Sequence, residues 1–102
     1  MAIQEVNIVS NQVQVSLSGS IYVEDAAAIL ENLIDFVNKG HTSFLIDLSA
    51  VDYIDSSGIG ALLAIHNKTR KKEGGVAVKG LNGLVRELFI LTRVDKVFDI
   101  MQ

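Results

Sequence analysis

The chain has 102 residues, enough for one domain with a single core and too few to add a separate catalytic module. With 49% hydrophobic and 21% charged residues it is not a disordered chain, and without cysteine it can form no disulfide or thiolate centre. The net charge of −3 argues against direct nucleic-acid binding, and no apolar run or leader pattern predicts membrane insertion or export, so we expect a cytoplasmic protein.

The first forty residues predict two strands and a helix. Apolar residues alternate with polar ones on both sides of a turn at residues 10–12: Val6 and Ile8, then Val13, Val15 and Leu17. From Val23 to about Asn38 the apolar residues follow helical spacing: Ala26, Ile29, Leu30, Leu33 and Val37. Acidic residues begin this segment and Lys39-Gly40 closes it, as a helix dipole and a helix C-terminus favour.

The second half predicts strands that alternate with helices. Its predicted elements are a strand at 43–48 followed by an apolar run at 51–54, a helix from about Ser57 to Glu73, a short central strand at 76–78, a helix from Asn82 to Thr92, and an edge strand at 97–100. Alternation of this kind predicts right-handed crossovers and parallel pairing. We therefore expect an α/β domain spanning residues 1–102, with a mixed, mostly parallel sheet of four to five strands and helices mainly on one face.

The hexapeptide Asp55-Ser56-Ser57-Gly58-Ile59-Gly60 joins a predicted strand to a predicted helix. Free backbone amides and the positive end of the helix dipole meet at such a point, so it favours an anion such as a phosphate. Asp and Ser are also the residues that most often cap helices, and Gly allows a helix to start close to a sheet. The position suits a serine that accepts and loses a phosphoryl group, and capping alone is the alternative.

Other chemistry finds little support in the sequence. Gly58-Ile59-Gly60 lacks the third small residue of a dinucleotide fingerprint, and no G-x-S-x-G motif accompanies the serines. Asp47, Asp52 and Asp55 do not converge along an extended strand, and the basic cluster at 68–72 fits a solvated helix end. His41 and His66 are interpreted as solvated or packing residues. We therefore predict no catalytic residue, no metal site and no cofactor.

The stretch from Asp47 to Leu62, DLSAVDYIDSSGIGAL, resembles the signature of the STAS domain family. Within that family it resembles the bacterial anti-sigma factor antagonists, whose pattern is D-L-S-x-V-x-[FY]-[IM]-D-S-[ST]-G-[LI]-G. The match spans 16 residues without a gap, and the order of predicted elements agrees along nearly the whole chain. A STAS-like single domain is the fold that this resemblance implies.

The resemblance implies a protein that is modified and does not itself catalyse a reaction. In that family the unphosphorylated antagonist binds an anti-sigma factor that is also a serine kinase, and the sigma factor is released. The kinase then phosphorylates and inactivates the antagonist, and a serine phosphatase restores it. By position in the motif Ser56 would be the phosphoacceptor, and Ser57 would support the helix.

One segment departs from the family pattern. Members of this group often carry an acidic sequence such as Gly-Glu-Leu-Asp after the second strand, where this chain has Ser20, Ile21 and Tyr22. The resemblance implies that this loop lies near the serine and contributes to partner choice, together with Asp55, Ser56, Ser57 and Gly58. The departure leaves open the identity of the kinase, and with it a constitutive role in a stressosome-like scaffold or in a membrane transport or lipid-trafficking complex.

Overall fold

The computed structural model describes residues 2–101, which form one five-stranded sheet and three α-helices. The elements in chain order are β1 (Ile3–Val9), β2 (Gln12–Ile21), α1 (Val23–Asn38), β3 (Ser43–Ile54), α2 (Ser56–Arg70), β4 (Gly75–Lys79), α3 (Gly83–Leu91), a 3-10 turn (Val94–Lys96) and β5 (Asp99–Met101). None of the helices among these described residues is long and apolar enough to cross a membrane.

The strands lie in the sheet in the order in which they occur in the chain. β1 and β2 are antiparallel and are joined by a tight turn in which Ser10 and Asn11 both have positive φ, a backbone conformation that suits the twist of a two-residue hairpin. β2, β3, β4 and β5 pair in parallel. Right-handed crossovers that all step in the same direction bring the three helices to one face. The predicted mixed, mostly parallel sheet is confirmed.

Alternate residues of the central strands supply the core beneath the helices. The buried strand residues are Val13, Val15 and Leu17 on β2, Phe44, Ile46 and Leu48 on β3, and Val76 and Val78 on β4. Leu33 of α1, Ile65 of α2 and Phe89 of α3 are buried in the same cluster. The residues between them on β2 are polar and half-buried, so one face of the sheet packs against helices and the other is polar.

Helix α1 has the bounds that its spacing predicts, whereas the predicted bounds of the later elements differ from the structure, most of all in β3, α2 and β5. The strand predicted at 43–48 continues to Ile54, because β2 is long enough to pair with it as far as Ile21. Helix α2 begins at Ser56 and ends at Arg70, three residues before Glu73. The last strand begins at Asp99, because Phe98 turns into the core against Phe89 and His66.

Asn82 occupies the predicted N-cap position of α3, but its side chain does not cap the helix. The side-chain amide donates instead to the carbonyl oxygens of Gly80, at 2.8 Å, and Ser49, at 3.4 Å. Asn82 therefore ties the start of α3 to the loop after β4 and to β3.

Candidate functional site

The ends of β2 and β3 bring the two predicted partner-binding segments together. In the parallel register Ser20 lies beside Tyr53 and Ile21 beside Ile54. The backbone N–H of Asp55 donates to the carbonyl oxygen of Ile21 at 3.2 Å, so the pairing continues to the residue that starts α2. Residues 20–22 and residues 55–58 are therefore neighbours at one end of the sheet.

Asp55 is the N-cap of α2. Its Oδ1 accepts the backbone N–H groups of Ser57, at 3.0 Å, and Gly58, at 3.2 Å, and also the hydroxyl of Ser57. The Ser57 hydroxyl, followed by the two amides, holds the pKa of Asp55 below its ordinary value against the opposing effect of desolvation. The carboxylate is therefore the anion that the helix N-terminus binds in this structure.

The prediction that the backbone amides at this helix start are free to bind a phosphate is wrong for Ser57 and Gly58. Both amides already donate to the carboxylate of Asp55. Geometry causes this, because an N-cap side chain reaches the amides of the second and third helical residues. Ser56, the first helical residue, is exposed, and its hydroxyl has no hydrogen-bond partner within residues 2–101. The two serines therefore differ: Ser57 is held by Asp55, and Ser56 is free.

Gly58 and Ile21 shape the site from inside. Ile21 is fully buried, and Gly58 is buried at the start of α2. A Cβ on Gly58 would lie 2.5 Å from Cγ1 of Ile54 and 3.0 Å from Cγ2 of Ile21. Neither residue offers a side chain to a partner here. Both let α2 start directly against the ends of β2 and β3, which positions Asp55 and Ser56.

The exposed side of the site carries two tyrosines. Tyr22 is 50% exposed and Tyr53 is 39% exposed, and their ring centroids are 5.6 Å apart. Tyr22 is one of the predicted partner-binding residues, and Tyr53 is not. Pairing of the 51–54 run with the end of β2 was the available signal, since that register places Tyr53 beside Ser20. We name Tyr22 and Tyr53 the tyrosine pair.

A shallow groove of about 210 Å³ leads from this end of the molecule between α1 and α2. It is lined by small and apolar residues together with one serine: Val23, Ala26, Ala27, Leu30, Ser57, Gly60 and Ala61. Small side chains on both helices allow them to approach closely. The serine of this groove is Ser57, and Ser56 is not among the residues that line it.

The other candidate residues have structural explanations. The carboxylate of Asp47 accepts the N–H of Ser49 at 2.9 Å, and although burial raises its pKa, that bond, the Ser49 hydroxyl and the charge of Lys79 together lower it. His66 is buried, and its Nδ1 accepts the backbone N–H of Val76 at 3.0 Å. The packing interpretation of His66 is confirmed. Within residues 2–101 no cluster of His, Asp or Glu could hold a metal ion.

Comparison with known proteins gives this fold and motif a family. The STAS domain family model matches residues 4–102. The chain therefore belongs to the STAS domain family, and the curated relatives that match it include anti-sigma factor antagonists. The anti-sigma-B factor antagonist of Bacillus subtilis (strain 168) is 29% identical over 90 residues, which cover 88% of this chain and 82% of that protein.

Solved structures agree with this assignment. The crystal structure of an anti-sigma factor antagonist from Mycobacterium paratuberculosis is 31% identical, with a TM-score of 0.85 over 96% of this chain and 84% of its own. The anti-sigma factor antagonist SpoIIAA in its unphosphorylated form shares the fold at 18% identity, with a TM-score of 0.80 over 99% of this chain and 88% of its own. The predicted resemblance is confirmed at the level of the family and its antagonist branch.

Proposed function

We propose that this protein is an anti-sigma factor antagonist of the partner-switching type. Its unphosphorylated form binds an anti-sigma factor that has serine kinase activity, and this binding releases a sigma factor in the cytoplasm. Phosphorylation of Ser56 by the same partner ends the binding, and a serine phosphatase restores it. The protein is the binder and the substrate in this cycle, and it supplies no catalytic group.

The observation that carries the proposal is the difference between the two serines. The Ser57 hydroxyl is bonded to Asp55, so its phosphorylation would break the cap of α2. Ser56 is exposed at the first position of the same helix, and its hydroxyl is available to a kinase. A kinase can therefore modify Ser56 without unfolding any element of the domain.

Phosphorylation would change the charge of this end of the molecule sharply. A phosphoserine carries about −1.5 to −2 charges at pH 7. At Ser56 these charges would stand beside the ionised Asp55, whose pKa is already low. A partner surface that packs over a neutral hydroxyl must then desolvate a dianion at that point, which is unfavourable. The switch therefore acts at the interface and requires no change of fold.

Phosphate mapping by mass spectrometry tests the proposal. The protein is incubated with ATP and candidate anti-sigma factors of the serine-kinase type, as wild type, Ser56→Ala and Ser57→Ala. We expect one phosphate on wild type and Ser57→Ala, none on Ser56→Ala, and loss of the complex when the phosphate appears. A phosphate that persists in Ser56→Ala would refute the residue assignment. Stable binding with no phosphate on any variant would favour a constitutive STAS subunit.

A further inference from the structure

The tyrosine pair is the largest exposed aromatic feature of the described residues. The two rings stand 5.6 Å apart at an interplanar angle of 40°, and each keeps a large exposed area. They are also the only tyrosines of the chain, which has no tryptophan. Half-exposed aromatic side chains combine apolar area with little conformational entropy, and they are frequent anchors of protein interfaces.

Both rings are held by regular structure. Tyr22 is the N-cap of α1, and its backbone N–H donates to Oδ2 of Asp25 at 3.1 Å. Tyr53 lies near the end of β3, beside Ser20 of β2. The next pair of residues along the two strands is Ile21 and Ile54, and both side chains are buried. The tyrosine pair is therefore a preformed surface that needs little ordering when it binds.

Acidic residues lie close to both tyrosines along the chain. Residues 1–67 contain eight Asp and Glu residues and a single basic one, Lys39, whereas residues 68–102 contain eight Lys and Arg against four acids. Four carboxylates lie within three residues of a tyrosine in the chain: Glu24, Asp25, Asp52 and Asp55. The part of the chain that contains both tyrosines, residues 1–67, is therefore strongly negative.

Two lysines belong to elements connected to the tyrosines, Lys39 after α1 and Lys79 on β4, and both lie far from the rings. Lys39 follows the other end of α1, roughly 25 Å from Tyr22 by helix rise. Lys79 of β4 lies opposite Asp47, six residues before Tyr53 on β3, roughly 20 Å by strand rise. Within residues 2–101 the cation–π contact is that of Lys39 with Phe36, and neither tyrosine ring carries one.

We propose that the tyrosine pair binds an arginine or lysine side chain of a partner protein. The face of an aromatic ring attracts a cation, and the four carboxylates that are close to the tyrosines in the chain add to that attraction. An anion would be repelled by the same carboxylates, and an aliphatic side chain would gain nothing from them. Arginine fits best, because its planar guanidinium can stack on one ring while it donates to carboxylates beside it.

The proposal rests on the proposed function only for the identity of the partner, an anti-sigma factor. A basic side chain on the tyrosine pair would fix the position of that partner at the ends of β2 and β3. Such a contact adds specificity and raises the association rate at low salt more than it adds affinity. It also gives this chain a recognition element where its relatives of the antagonist group often carry acidic residues.

Two matched peptides test the chemistry without the partner. The probe is acetyl-Gly-Arg-Gly-amide, and its control replaces arginine by citrulline, which has the same shape and no charge. Both are titrated into the full chain and followed by tyrosine fluorescence, which reports only on this pair, and by backbone amide NMR shifts. We expect saturable shifts at residues 22 and 53 with the arginine peptide and at least fivefold weaker binding of the citrulline peptide. Equal binding of the two peptides overturns the proposal.

Variants separate the aromatic contribution from general charge attraction. Tyr53→Leu should weaken arginine-peptide binding about two- to fivefold, whereas Tyr53→Phe, which keeps the ring face, should stay within about twofold of wild type. Asp52→Asn should weaken binding more than Asp35→Asn, which removes the same charge near the other end of α1. Thermal melts establish that each variant is folded. Wild-type affinity in Tyr53→Leu, or equal effects of the two Asp variants, contradicts the proposal.

The outcomes also separate this proposal from the proposed function. Selective arginine binding without kinase-dependent phosphate on Ser56 supports a cation site at the tyrosine pair and contradicts the partner-switching cycle. Phosphorylation of Ser56 combined with equal binding of both peptides supports the partner-switching cycle and contradicts cation binding by the tyrosine pair.

Discussion

Ser57 donates both its backbone amide and its hydroxyl to the carboxylate of Asp55, while the adjacent Ser56 hydroxyl has no bond within residues 2–101. The two adjacent serines of the motif therefore differ in their hydrogen bonds and in the availability of their hydroxyl groups. Helix geometry causes the difference, since the N-cap side chain reaches the second helical residue and not the first. Ser57 maintains the helix start, and Ser56 is the serine whose hydroxyl stays free.

The first prediction follows from that division. Ser57→Ala should lower the free energy of unfolding by about 0.5–1.5 kcal/mol, because a hydrogen bond to a carboxylate is lost. Ser56→Ala should change it by less than about 0.5 kcal/mol, because the exposed hydroxyl has no partner to lose. Urea unfolding of the two variants measures both values on the same scale. A larger loss in Ser56→Ala than in Ser57→Ala would identify Ser56 as the structural serine.

The second prediction concerns a permanent charge at Ser56. We expect Ser56→Asp to lose binding to the anti-sigma partner while its Tm stays within about 4 °C of wild type, since attraction to the helix dipole and repulsion from Asp55 oppose each other. The Asp55 pKa should rise, because a second carboxylate stands beside it. Calorimetric titration and NMR pH titration measure the two effects. Ser56→Asn, nearly the same size and neutral, should retain binding; equal loss in both variants would point to shape and not to charge.

The third prediction compares two glycines of α2. In Gly58→Ala the new methyl group meets Ile54 and Ile21, and overpacking of this kind costs about 1–3 kcal/mol, more than the gain of up to about 1 kcal/mol in helix propensity. At Gly60 a Cβ meets nothing within 4 Å, so Gly60→Ala should stabilise the fold by the propensity term alone. Thermal unfolding of both variants decides it. Stabilisation by Gly58→Ala would show that the contact with Ile54 is easily relieved.

The fourth prediction is a loss of stability in mild acid that depends on His66. Burial, and then the charge of Arg70, lowers the pKa of His66, while Asp99 opposes the shift. The unfolded chain therefore takes up the proton first, so stability falls as the pH drops below the ordinary value near 6.5 and levels off below the lowered pKa of the folded state. Protonation at Nδ1 would also end its bond with the Val76 amide.

Melting curves between pH 7.5 and pH 5 check the His66 prediction. Wild type should lose Tm over this range, and His66→Asn, which cannot titrate, should have a lower but flatter Tm. His41→Asn is the control, because His41 packs against the ring of Phe36, whereas His66 accepts the backbone N–H of Val76 in β4. An unchanged slope in His66→Asn would assign the acid sensitivity to another group.

The sequence predicts the fold well where burial is periodic and poorly where tertiary packing overrides it. Helix α1 has an uninterrupted apolar stripe and the predicted bounds. Val97 and Phe98 carry a strand-like apolar pattern, yet Phe98 turns inward because His66 and Phe89 form an aromatic cluster with it. Periodicity within a segment contains no information about a contact made thirty residues away.

The site divides in the same way. The sequence predicted a helix start at about Ser57, one residue late, and the family resemblance implied the proximity of residues 20–22. It could not show that Asp55 engages the amides of Ser57 and Gly58, since the choice between an internal carboxylate and an external anion depends on side-chain geometry. It also missed Tyr53, whose exposure depends on the register between β2 and β3.

The strand order, β1 to β5 in both chain and sheet, has a consequence for biosynthesis. Each strand that leaves the ribosome finds its only earlier neighbour already made, so the sheet can grow from one side without waiting for a later segment. Two parallel strands can pair only after the helical connection between them has folded back across the sheet. Each connection joins neighbouring strands and is short, so the entropic cost of closing it is modest. The polypeptide can therefore assemble vectorially, with β5 and the ring of Phe98 docking last to seal the side of the core around His66.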